Sequence, residues 1–79
     1  MSITSKSLEL FLAYARDAGN WSGTPLVGGN VGGDVEGRGN LTQLKQAGLI
    51  RTQTAEGNTW ICFTGAGRAL AASHEIQLD

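Results

Sequence analysis

Few side chains in this sequence could carry out bond-making chemistry, and they are scattered. His74 is the one histidine, and no second ligand stands at metal spacing from it. Cys62 is the one cysteine, set between Ile61 and Phe63 in a strand-like run, so it reads as a small structural side chain. A lone cysteine cannot form an internal disulfide. No nucleophile, base and orienter assemble from Cys62, His74 and the serines. An enzyme is therefore not expected, and nothing calls for a metal or a cofactor. Glycines invite a phosphate-cradle reading, but no lysine follows any of them as a P-loop requires. Gly37-Arg38-Gly39 begins a dinucleotide fingerprint, and Thr42 stands where its last glycine belongs.

A second group of residues suits recognition rather than reaction. Arg38, Thr42, Gln43, Lys45, Gln46, Arg51 and Asn58 lie within one short stretch. Glutamine can pair with adenine edges, while arginine and lysine hold phosphates or guanine. Net charge is −1, which speaks against a strongly basic nucleic-acid binder, yet the charge is uneven. Lys6 and Arg16 against Glu9, Asp17, Asp34 and Glu36 leave the first 36 residues two charges negative. Arg38, Lys45, Arg51 and Arg68 against Glu56 leave residues 37–70 three charges positive. Screening confines such effects to about 8–10 Å, so local charge decides docking. The plain alternative is an ordinary solvated helix face.

The elements that must position these residues follow from periodicity. Leu8, Phe11, Leu12, Ala15 and Ala18 fall on one face of a helix over 5–18. Ser5 or Ser7 can cap its start, and Gly19-Asn20 supply the stop. Eight of the twelve glycines lie between Gly19 and Gly39. Glycine costs about 1 kcal/mol relative to alanine in a helix, so a packed irregular loop is expected there, with none across 28–33 helical. Trp21, Leu26 and Val27 dip from it into the core. Leu41 and Leu44, followed by Ala47 and Gly48, predict a short helix over 41–47, extending back to 35 if the glycines at 37 and 39 are helical; Asp34 or Asn40 would cap it. With the two leucines inward, Thr42, Gln43 and Gln46 face outward, flanked by Arg38 and Lys45.

Residues 49–54 and 59–63 read as strands around a turn at Ala55-Glu56-Gly57-Asn58. Alternation puts Ile61 and Phe63 on one face and Trp60 and Cys62 on the other. Thr64 can cap a last helix over 65–73 with Leu70 on its buried side. The expected core is Phe11, Leu12, Leu41, Leu44, Leu49, Ile61, Phe63 and Leu70.

The run Leu41-Thr42-Gln43-Leu44-Lys45-Gln46-Ala47-Gly48-Leu49-Ile50, then a hairpin, then Phe63-Thr64-Gly65-Ala66-Gly67-Arg68, resembles the recognition helix and wing of winged helix-turn-helix domains. Bacterial repressors of the multiple-antibiotic-resistance and arsenic-sensor types share this layout. The match spans about residues 38–70. It implies an α+β fold, a small winged-helix domain of helices plus a two-stranded antiparallel β-wing, with the glycine-rich loop standing where the family has a regular second helix. The resemblance implies a DNA-binding transcription regulator that meets double-stranded DNA through Arg38, Thr42, Gln43, Lys45, Gln46, Arg51 and Asn58. Glycine-rich small proteins of this kind also resemble products of phages or mobile elements. A second reading is therefore a protein-interaction module, such as a phage-type inhibitor of a host protein complex, working through Trp60 or the glycine-rich loop.

At 79 residues, 41% of them apolar, the chain reads as a single domain over 1–79 near the lower size limit for a self-sufficient core. That small core leaves room for a homodimer. The longest apolar run is far short of the ~20 residues that cross a membrane. The start Met1-Ser2-Ile3-Thr4-Ser5-Lys6 has no signal-peptide pattern, so a cytoplasmic protein is expected. The triplets Asn20-Trp21-Ser22 and Asn40-Leu41-Thr42 are then chance matches to a glycosylation acceptor.

Overall fold

A computed structural model describes residues 3–29 and 35–78, with side chains from residue 39 onward in the second stretch. The Asp34 cap and the Gly32-Gly33 pair lie outside the described residues. Helix α1 spans Ser5–Asp17 and buries Ser7, Phe11, Tyr14 and Ala15. Its cap is Thr4, not Ser5 or Ser7: Thr4 is extended (φ −72°, ψ 162°) and its Oγ1 accepts from the Ser7 amide at 3.1 Å. Such a bond satisfies one of the donors left open at a helix start.

The α-helix ends at Asp17, within one residue of the expected end and before Gly19-Asn20. A 3₁₀ turn continues over Ala18–Trp21, because the Asp17 carboxylate accepts from Asn20 Nδ2 and Trp21 Nε1, each at 2.8 Å. The chain then runs beside the later hairpin. Val27 N donates to Thr59 O and Ile61 N donates to Pro25 O, both at 2.9 Å, around a bridge between Leu26 and Trp60. The glycine-rich loop is therefore anchored beside β2 through an isolated bridge over 25–27.

Helix α2 spans Val35–Gln46, so Gly37 and Gly39 are helical and the longer of the two expected extents applies. Asn40 consequently sits inside the helix and does not cap it. Gly48, with φ +75°, turns the chain out of α2, and Leu49 N donates to Leu44 O at 3.1 Å. Strands β1 (Ile50–Ala55) and β2 (Asn58–Phe63) pair antiparallel in the register Ile50 with Phe63 and Ala55 with Asn58. The turn is tighter than expected. Only Glu56 and Gly57 remain in it, both at positive φ (53° and 81°), the two-residue geometry that matches strand twist. Ala55 and Asn58 belong to the last rung of the ladder.

Helix α3 spans Gly65–Ser73 and is capped by Thr64, whose Oγ1 accepts from Gly67 N at 3.1 Å and donates to Gly48 O at 2.6 Å. After it, Ile76 N returns to Ala71 O at 2.9 Å, which folds Ile76 and Leu78 back onto the core. Among the described residues, three α-helices and a two-stranded antiparallel sheet make a small α+β fold in a winged-helix-like arrangement.

The core centres on Phe11, Leu44 and Ile61, all fully buried. Phe63 meets Phe11 edge-on at 5.7 Å. The remaining expected residues, Leu12, Leu41, Leu49 and Leu70, are like Phe63 only partly buried around that centre. Tyr14, Ala15, Ile50 and Ala71 complete it. In so small a domain several large apolar side chains stay partly exposed, while Ala15, Ala18 and Ala71 take buried positions.

Candidate nucleic-acid interface

Helix α2 has two sharply different faces. Leu44 seals one of them, with Leu41 partly buried beside it. Flanking Leu44 on the side of α1 are two polar contacts. Asn40 Oδ1 accepts from the Ser7 hydroxyl at 3.2 Å, and Gln43 Oε1 accepts from the Thr4 amide at 2.8 Å. On the far side Thr42, Lys45 and Gln46 are exposed. At 100° per residue these three span one outward arc, and Arg38, one turn before Thr42, falls on the same arc by position. The side chain of Arg38 lies outside the described residues.

The structure thus brings Thr42, Lys45 and Gln46 together and draws Gln43 away from them. Gln43 is half-buried against the start of α1. Its amide oxygen is occupied by the Thr4 backbone.

The hairpin carries the other two expected contacts. Arg51 and Asn58 are both exposed, and both belong to the face that points away from the core, opposite Ile50, Thr52 and Ile61. Arg51 lies near the base of the wing and Asn58 at its tip, four rungs apart in the register, or ~13 Å. Glu56 is exposed at the same tip. Its charge opposes phosphate at the tip, so favourable charge is concentrated at the wing base and on α2.

Trp60 shares the outward face of the wing. It meets Trp21 edge-on at 5.7 Å, and the two indoles line an open groove with Thr24, Gln53 and Cys62. Trp21 is therefore half-buried on the outside of the sheet and not part of the core as expected. The path of the chain explains this: the 25–27 segment runs along the outer edge of β2 and carries Trp21 around it.

No protein-family model, curated protein or solved structure compared with the chain matches it. The site must be judged on its own geometry. Among the described residues no three histidine, cysteine or acidic side chains come together as a metal site would need, and no helix is long and apolar enough to cross a membrane.

Periodicity alone missed the polar contacts between α1 and α2. Their signal was nonetheless present: Thr4 and Ser7 are three apart, as are Asn40 and Gln43, the spacing that stacks side chains on one helical face. The Trp21–Trp60 pair had no local signal. It depends on which edge of the hairpin the loop chooses.

Proposed function

We propose that this domain is a winged helix-turn-helix regulator that docks on double-stranded DNA through the outer face of α2, with the base of the wing beside it. One observation carries the reading. Among the described residues of α2, Asn40, Leu41, Gln43 and Leu44 pack against the fold, while Thr42, Lys45 and Gln46 stand exposed on the opposite side. Sites on rigid elements present their groups more precisely than sites on loops. Thr42 and Gln46 suit base edges; Lys45, Arg51 and Arg38 suit phosphates. No aromatic side chain lies on α2, so the face offers no platform for stacking unpaired bases, and a duplex is the better fit.

With so few cations the affinity is modest and strongly salt-dependent. Three neutralised phosphates give a slope of roughly −3 in log affinity against log salt. The test is affinity against salt for the wild type, Lys45→Ala and Gln46→Ala, on a selected duplex and a scrambled one. Lys45→Ala weakens both duplexes alike and lowers the slope by about one. Gln46→Ala instead narrows the gap between the duplexes, by ~1–3 kcal/mol for a good bidentate contact. Absence of salt-dependent binding by the wild type at low ionic strength refutes the reading. A cytoplasmic location goes with this proposal.

A second reading rests on a different observation, the Trp21–Trp60 pair at an open groove on the outward face of the wing. Tryptophans are enriched among the residues that anchor protein interfaces, and both indoles here are half-buried at the groove. On this reading the domain is an interaction module for a protein partner or a second copy of itself. Trp60→Ala then abolishes the association, whereas Lys45→Ala leaves it intact.

A further inference from the structure

We infer that Gln43 and Asn40 are positioning residues: with Thr4 and Ser7 they form a clasp that fixes the roll of α2 and so decides which of its side chains a duplex meets. The inference rests on the DNA reading for its functional consequence, while the clasp itself stands on geometry. The N-cap Thr4 and Ser7 of α1 face two residues three apart on α2, Asn40 and Gln43. Thr4 N donates to Gln43 Oε1 at 2.8 Å, and Ser7 Oγ donates to Asn40 Oδ1 at 3.2 Å. The two links are joined on the α1 side, where Ser7 N donates to Thr4 Oγ1 and Thr4 Oγ1 donates to Ser7 Oγ, both at 3.1 Å. Ser7 is fully buried, so its hydroxyl needs these partners.

Apolar contact alone leaves the roll of α2 loosely defined. Burial of Leu44 is non-directional, whereas hydrogen bonds weaken steeply when misaligned. The outward side chains end ~5–6 Å from the helix axis. A roll of ~20° then carries Lys45 and Gln46 sideways by roughly 2 Å, well beyond the ~0.5 Å within which a recognition group must be held.

The two roles of Gln43 demand different chemistry. Reading adenine takes both the amide donor and the amide acceptor. Holding the Thr4 amide takes only an acceptor, which a carboxylate also supplies, and a negative group at a helix start is favourable. The variants are Gln43→Ala and Gln43→Glu. The readouts are the Thr4, Thr42, Lys45 and Gln46 backbone amide resonances of the DNA-free protein, and the ratio of affinities for the selected and scrambled duplexes. A ratio removes the uniform repulsion that an added carboxylate exerts on any DNA.

Gln43→Ala is expected to shift the Thr4 amide and the three α2 amides and to lower the ratio about tenfold, within the range of one lost specific contact. Gln43→Glu keeps the α2 amides in place and at least half of the ratio. Loss of the ratio to the same extent in both variants, with the α2 amides unmoved, makes Gln43 a base reader and overturns the inference. Unshifted Thr4 and α2 amides in Gln43→Ala overturn it as well. If the wild type binds no duplex, the DNA reading fails by itself, and the clasp is decided by the amide shifts in the two variants.

Discussion

Replacing Gly67 by alanine isolates the contact that docks α3 on the base of the wing. Gly67 is buried in the first turn of α3, and a Cβ built there would overlap the backbone carbonyl of Leu49. That carbonyl cannot rotate aside, because it accepts from Thr64 N at 3.2 Å and its residue leads directly into β1. Relief requires α3 to lift. Lifting strains two bonds, Thr64 N to Leu49 O and Thr64 Oγ1 to Gly48 O, each contributing about 1 kcal/mol. Overpacking a close contact adds ~1–3 kcal/mol. Alanine returns about 1 kcal/mol of helix propensity. The net loss is ~2–4 kcal/mol, measured as the change in unfolding free energy by urea titration with circular dichroism. Gly65→Ala is the control two residues away: a Cβ there meets nothing within 4 Å, so stability stays level or rises by up to ~1 kcal/mol. If the two variants agree within ~0.5 kcal/mol, the close approach of Gly67 to Leu49 is not a real constraint.

Other consequences can be read with the same titration. Leu44→Ala empties the fully buried centre of the core and costs ~2–5 kcal/mol; a change below ~1 kcal/mol removes Leu44 from that role. Glu56 holds φ 53° in a two-residue turn, a conformation asparagine tolerates better, so Glu56→Asn stabilises by ~0.5–1 kcal/mol, and destabilisation would contradict the assigned turn. Burial pushes the Tyr14 phenol above its ordinary value of 10.0, helped by the nearby Asp17 charge and offset in part by the Gly28 backbone. The neutral form is therefore favoured in the folded state. Its contribution is fully present below pH ~10 and lost as pH climbs towards the raised folded value. Stability of Tyr14→Phe falls less steeply than the wild type above pH ~10; parallel curves would rule out a buried phenol.

What the sequence made legible, and what it hid, divides along the range of the interactions. Helix α1, the hairpin and the Thr64-capped α3 were readable because stripe, turn and cap are local patterns. The extent of α2 was harder. Gly37 and Gly39 weaken a helix locally, and the contacts of Asn40 and Gln43 with α1, which favour the helical state, join residues more than thirty positions apart. The contact of Gln43 with Thr4 was hidden for the same reason: a polar side chain on a helix gives no local sign of whether water, DNA or another helix will meet it. Trp21 was taken for core because its partner, Trp60, reaches it only through the pairing of the 25–27 segment with β2.

Four of the residues behind the winged-helix resemblance, Gly48, Leu49, Thr64 and Gly67, meet at one knot. Gly48 offers its carbonyl to the Thr64 hydroxyl, Leu49 accepts the Thr64 amide, and Gly67 lies flat against the Leu49 carbonyl. Each step restricts the next: the positive φ at Gly48 aims its carbonyl, the Thr64 cap fixes where α3 begins, and only a residue without Cβ fits at 67. The knot ties the end of α2, the start of β1 and the start of α3 together through residues whose type and spacing are recognisable in the sequence. None of them is exposed on the outer face of α2. The physics behind the resemblance is therefore that of a scaffold, and a scaffold fixes where a binding face stands without fixing what it binds. On the proposed DNA reading, specificity falls to the side chains exposed on the outer face of α2, Thr42, Lys45 and Gln46, and to the roll that the proposed Thr4–Ser7–Asn40–Gln43 clasp imposes on them.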